Sequence, residues 1–220
     1  AIEYEPHGGY EVFMPEELAL FESCKEKMEQ FNAELKRITG RDNIYSVCDD
    51  KISQFGFAGV QHMILNSGEG QIHSGKAMQT LLQKVRSLGV EVLTGLGVER
   101  WEKEGNGLRI TTSGGFDLKV NKMLITTNAF ARQLLPELEV VPGRAQVLVT
   151  SPIENLKVKG TFHYDKGYYY FRNIGDRVLF GGGRNLDFQT EETYEFGLTP
   201  LVQNKLEQLL GEVILPGEKY

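Results

Sequence analysis

The sequence predicts a mixed α+β fold in which helices back predominantly antiparallel strands, with one stretch of α/β character in the middle. Three observations carry that expectation. Apolar residues recur at helical spacing over residues 16–39. Short alternating segments separated by glycine turns fill residues 98–120 and 168–181. Between them, strand-like apolar runs alternate with helical patterns, the order expected of a sheet with helices on its faces.

The composition permits such a fold. Of the 220 residues 40% are apolar and 25% are charged, enough material for a packed core. A net charge of −6 argues against nucleic-acid and anionic-membrane partners. The acidic excess sits in residues 1–70, whereas residues 71–150 are net basic. Only Cys24 and Cys48 occur, without a CxxC pair, so a reducing, cytoplasmic compartment is expected. No run approaches the ~18 apolar residues of a membrane helix. The first residue is Ala1 rather than Met, which suggests a trimmed segment.

Tyr10–Phe13 reads as a strand. Leu18, Phe21, Met28, Phe31, Leu35 and Ile38 then mark one face of a long helix over 16–39, which Gly40 stops. A short helix over 49–54 and a strand over 60–65 follow. Ser74 caps a helix that runs to about Leu88 and ends at Gly89, and Val90–Leu93 is expected as a buried strand. Residues 98–104, 107–112 and 116–120, separated by Gly105-Asn106 and Gly114-Gly115, form a meander. Lys122–Thr126 reads as an apolar strand covered on both faces, leading into a helical stretch over 129–134. Strands follow at 146–150, 168–172 and 177–181. The 160–183 stretch is expected as a hairpin turning at Asn173–Asp176, and a last helix covers 200–210.

Motifs for nucleophilic or metal chemistry are missing. There is no GxSxG, HExxH, Walker A or EF-hand pattern, and His7, His62, His73 and His163 lack ligand spacing, so no metal site is expected. Gly68-Glu69-Gly70 and Gly95-Leu96-Gly97 imitate a dinucleotide fingerprint without completing GxGxxG, and read as turns.

The order of several segments resembles a family. Glu69-Gly70-Gln71-Ile72-His73, Gly89-Val90-Glu91-Val92, the Val98 strand, Leu124-Ile125-Thr126-Thr127-Asn128-Ala129-Phe130, Pro142-Gly143-Arg144-Ala145-Gln146-Val147, Gly167-Tyr168-Tyr169-Tyr170-Phe171-Arg172 and Gly181-Gly182-Gly183-Arg184 succeed one another. Over residues 69–190 this is similar to the interior of the D-amino-acid oxidase and glycine oxidase superfamily of FAD-dependent oxidoreductases. The resemblance implies part of an FAD-binding sheet domain joined to an antiparallel substrate domain with helices. Residues 1–70 would be the first part of the substrate domain, 71–143 the central part of the FAD-binding domain, and 144–220 the second part of the substrate domain.

The family opens with a GxGxxG loop and closes with a second glycine-rich segment, and neither pattern is in this sequence. The expectation is the interior of a longer enzyme, inactive by itself and holding FAD poorly or not at all. The implied reaction passes a hydride from an amine or amino-acid substrate to flavin N5, and the cofactor carries the difficult step, so no nucleophile is required and no catalytic side chain is assigned. A flavin dehydrogenase of a hydroxy acid, and a non-catalytic α+β module gripping a small ligand or a protein, are the alternatives.

By the resemblance, Val98 offers its main chain to the adenine, unless it is an ordinary strand valine. Thr126, Thr127 and Asn128 form the polar turn at a strand end that touches the nucleotide, unless Asn128 is only a helix cap. Tyr168, together with Tyr170, borders the substrate, against the alternative of a cross-strand aromatic ladder. Tyr168, Tyr169 and Tyr170 are expected on one strand, with Tyr169 facing the other way. Arg172 and Arg184 are not assigned to the substrate carboxylate, and His73 reads as a turn residue.

Overall fold

A computed structural model describes residues 2–220. In chain order the elements are β1 (Gly9–Phe13), α1 (Leu18–Thr39), β2 (Tyr45–Val47), α2 (Ile52–Phe55), β3 (His62–Asn66), α3 (Ser74–Ser87), β4 (Val98–Glu104), β5 (Gly107–Thr112), β6 (Asp117–Val120), α4 (Ala131–Leu134), β7 (Gln146–Val149), β8 (Thr161–Tyr164), β9 (Tyr169–Ile174), β10 (Arg177–Gly182) and α5 (Pro200–Leu209). They fall into two units. The larger contains residues up to Ala77 with Ala145–Asp187 and Gly197–Tyr220, and the smaller contains Met78–Arg144 and Phe188–Phe196.

The larger unit is built on a seven-stranded sheet in the order β2-β3-β1-β8-β9-β10-β7. All its pairs are antiparallel except β1 with β8, which brings residues about 150 positions apart into register at Glu11 and His163. Alternation decides the faces. Tyr10, Phe162, Phe171 and Phe180 point to one side, where Tyr10 stacks on Phe162 at 4.8 Å and Phe162 on Phe171 at 4.7 Å. Helix α5 closes this side with the buried Val202, Leu206 and Leu209, and a π-helical turn carries the layer on through Leu210 and Ile214. On the opposite side α1 covers only the β1–β3 end, through Phe21 against Phe13 and Ile64. Gly40, in the left-handed conformation, ends that helix as the sequence indicates.

In the smaller unit β4, β5 and β6 make a three-stranded antiparallel meander, as their turn pairs indicate. Two other expectations fail there. Val90–Leu93 and residues 122–126 are irregular rather than strands. Val90 is 51%, Leu93 64% and Leu124 86% exposed. A run that is apolar on both faces becomes a strand only where neighbours pair with it and layers cover both sides. Among the described residues no strand pairs with either run.

The third difference concerns the 160–183 stretch. It is a three-stranded antiparallel set rather than a single hairpin, because Thr161–Tyr164 forms its own strand ahead of the β9–β10 turn. Tyr168 consequently precedes β9 instead of lying on it. Its N–H donates to the Asp165 carbonyl at 3.0 Å and its carbonyl accepts from Gly183 N–H at 3.0 Å, so it is pinned at the mouth of the hairpin.

Candidate functional site

On the side of the large sheet that α1 leaves partly open, strand register sets one row across all seven strands: Val47, Ile64, Glu11, His163, Tyr170, Gly181 and Val147. Its centre is polar. The Glu11 carboxylate lies 3.1 Å from His163 Nδ1, and this hydrogen bond holds the imidazole pKa above its usual value. Tyr170 is the next group in the row, and burial pushes its phenol up. The end of the ring lies close over Gly181: a Cβ there would meet Tyr170 Cζ and Oη at 2.8 Å and Val147 Cγ1 at 2.7 Å. Glycine at 181 is thus a close-approach requirement that lets a phenol cross the strand below it.

Tyr168 and Tyr170 are brought to the same end of β9. Tyr168 is 42% exposed, Tyr169 is buried against Tyr164 and Phe180 on the core side, and Tyr170 is half-buried on the open side. Arg172, one step along the open side, uses Nη1 on the Ile72 carbonyl at 2.9 Å, a structural bond that holds the segment ahead of α3. His73 serves that same helix: its Nδ1 accepts from Lys76 N–H at 3.3 Å.

Beside the row, between α1 and the sheet, lies a hollow of about 730 Å³. Helical spacing places Leu20, Cys24, Met28 and Phe31 along it, and the first three also pack against the cluster around the buried Phe21. Ile64 forms part of its floor, and Glu11, His163, Lys166 and Gly167 form part of its wall. Burial raises the pKa of both cysteines, and the Cys48 thiol, in the core, is pushed up to about 11. Sequence reasoning misses the Glu11–His163 pair because a parallel β1–β8 pairing has no local signature. The one trace is Glu11 as the sole exposed position of an otherwise buried strand.

The nucleotide candidates are in the smaller unit. Val98 opens β4, an edge strand, so part of its main-chain edge has no ladder partner and suits a hydrogen-bonding ring edge. Thr126, Thr127 and Asn128 are exposed, and Asn128 adopts φ 48° at the start of a single helical turn over Asn128–Phe130. Thr127 occupies the N-cap position there, without a side-chain cap, so Asn128 is not the cap. The following α4 is tied to β4 by Trp101 Nε1 donating to the Leu134 carbonyl at 3.1 Å.

Gly70, in the turn before α3, is packed against the chain itself, since a Cβ there would meet the Glu5 carbonyl and the Tyr4 ring at 2.7 Å. Gly97 leads into β4, its N–H donating to Ser113 Oγ at 2.9 Å. Both glycine pairs are turns rather than phosphate cradles. Among the described residues no three His, Cys, Asp or Glu side chains cluster as a metal site would require, and no helix is long and apolar enough to cross a membrane.

The profile of the DAO family, described as FAD dependent oxidoreductase, matches residues 1–217. A search of curated protein sequences finds no match. Among solved structures the chain is similar to L-proline dehydrogenase from P. horikoshii (16% identity, 97% of this chain and 57% of that one, TM-score 0.71). It is also similar to glycine oxidase from Bacillus cereus (12% identity, 100% and 60%, TM-score 0.75). Iminodiacetate oxidase from Chelativorans sp. aligns at 15% identity over 99% of this chain and 58% of that one, with a TM-score of 0.71. At such identities the shared property is the fold, and the chain spans less than two thirds of the length of each structure. With the family profile running across almost the whole sequence, the chain belongs to the DAO family of FAD-dependent oxidoreductases.

Proposed function

We propose that this chain provides the substrate domain and the middle of the FAD-binding domain of an enzyme that oxidises a small amine or amino acid. The larger unit takes the first role and the smaller unit the second. The observation that carries the reading is the open side of the large sheet. There Tyr168 and Tyr170 border a surface whose row is polar at Glu11 and His163 and cleared of a side chain at Gly181. A phenol in such a position bounds an apolar slot with its ring and orients an amine or carboxylate with its hydroxyl.

FAD, when bound, supplies the acceptor at N5 for the hydride that leaves the substrate carbon. The chain's own part is to orient that C–H bond and to exclude water, which needs a shaped surface rather than a triad. Val98 would present its main chain to the adenine, and Thr126, Thr127 and Asn128 would flank the nucleotide. Two free cysteines suit a cytoplasmic home. Residues 1–220 alone are expected to be inactive and to bind FAD weakly, and a tight stoichiometric FAD complex of this segment would contradict that part of the reading.

The test is anaerobic reduction of the flavin-loaded protein expressed from its whole reading frame. An amine or amino acid should bleach the flavin band, and Tyr168→Phe should slow the bleaching without loss of the flavin. A colourless protein, or bleaching by hydroxy acids alone, overturns the proposal.

A further inference from the structure

The hollow beneath α1 has no role in the reading above. We propose that it receives the substrate's side chain, so that the enzyme acts on amines or amino acids bearing a large hydrocarbon substituent, branched or aromatic, rather than on glycine-sized ones. This inference rests on the assignment of Tyr168 and Tyr170 to the substrate.

The helix supplies the first argument. Helix α1 packs on the sheet through the buried Phe21, with Leu20, Cys24 and Met28 partly buried against the same cluster. Leu20, Cys24 and Met28 also line the hollow, as does Phe31, which is 56% exposed. A helix covering a sheet without a ligand to accommodate would close down on these side chains, because each apolar group left in water forgoes the free energy of burial. Here a hollow of about 730 Å³ stays open between them and Ile64.

Continuity supplies the second argument. The wall of the hollow includes Lys166 and Gly167, the two residues immediately before Tyr168, and His163, the direct cross-strand neighbour of Tyr170. Neither tyrosine lines the hollow itself, but a molecule held at Tyr168 and Tyr170 by its polar end has this apolar space beside it for its substituent, and all of these residues lie within the larger unit. The polar pair Glu11 and His163 marks the boundary between the two ends, while the hydrocarbon chemistry is confined to the α1 side. A glycine-sized substrate would leave water against Leu20, Phe31 and Ile64.

The experiment uses the flavin-loaded protein and compares glycine, alanine, leucine and phenylalanine in both enantiomers, with methylamine, isoamylamine and benzylamine beside them. The expected result is a rise in kcat/KM of about tenfold or more for each step that fills the hollow further. Ser23→Phe, which projects a ring into the hollow from α1, should lower kcat/KM for the bulky substrates by about tenfold or more and leave alanine or methylamine unchanged, with Ser23→Ala neutral throughout. A readout independent of turnover is the alkylation of Cys24 under anaerobic conditions, with the buried Cys48 as the silent control. The preferred bulky compound should protect Cys24 and glycine should not. Equal rates across the size series, or a Ser23→Phe effect shared by small and large substrates, overturn this inference and leave the amine-oxidation reading standing. A flavin that no amine reduces overturns both.

Discussion

The two units are held together by different physics. In the larger one, aromatic and aliphatic side chains from seven strands and three helices meet in two clusters, with Phe162 in contact with four other rings. Among the described residues the smaller one has Ile110 as its single buried large apolar side chain, and its other buried residues are Thr112, Pro142 and Glu191. Its order comes from a hydrogen-bonded meander, from one enclosed ion pair and from a surface cluster around Arg109. Apolar burial is insensitive to pH and to the identity of single neighbours, whereas ion pairs depend on both. The two units should accordingly fail under different perturbations.

The largest effect is expected from Phe162→Ala. The ring is 1% exposed and stacks between Tyr10 and Phe171, so its removal leaves a cavity bounded by rigid strands and should cost about 3–5 kcal/mol. Denaturant unfolding followed by near-UV circular dichroism should show the loss in the larger unit. A cost below ~1 kcal/mol would mean that the aromatic layer is not what holds the sheet.

Glu191→Gln probes the smaller unit. Glu191 is 1% exposed and takes both Arg144 Nε and Nη2, at 2.8 and 3.0 Å, while Arg144 N–H donates to its carbonyl. Removing the negative charge leaves the Arg144 guanidinium facing a neutral amide, which should lower the unfolding midpoint of the smaller unit. Hydrogen exchange of the 107–112 and 188–196 amides should speed up while that of β8–β10 does not. Equal acceleration in both regions would erase the contrast between the units.

The same contrast explains what was legible in the sequence. The α1 pattern, the glycine turns of β4–β6 and the alternation of β9 and β10 are set by contacts with near neighbours in the chain, and the structure follows them. Val90–Leu93 and residues 122–126 were misleading because a continuous apolar run specifies burial but not the strands that must supply it. The hollow was hidden for the complementary reason. The α1 residues through Phe31 read like core, and only the packing of α1 on the sheet leaves a hollow between them and Ile64. The resemblance in residue order points to Tyr168 and Tyr170, whereas the juxtaposition of Glu11 and His163 requires a pairing across about 150 residues.

The mildest test concerns the surface of the smaller unit. Arg109 and Lys119 donate to Glu104, and these bonds hold its carboxyl down at about 2, well below the usual carboxylate range. A group whose folded pKa is depressed binds its proton less readily than in the unfolded chain, so its contribution is present above the ordinary value near 4.5 and is lost as the pH falls toward 2. The urea midpoint of the smaller unit should therefore decline across that window, and Glu104→Gln should flatten the decline and lower the midpoint at neutral pH. Because the cluster is solvent-exposed, added salt should shrink the difference between the two proteins. The larger unit, with its aromatic core, should show no such change on substitution at Glu104. A midpoint that tracks pH equally in both units would mean that the division between burial and charge does not govern their stability.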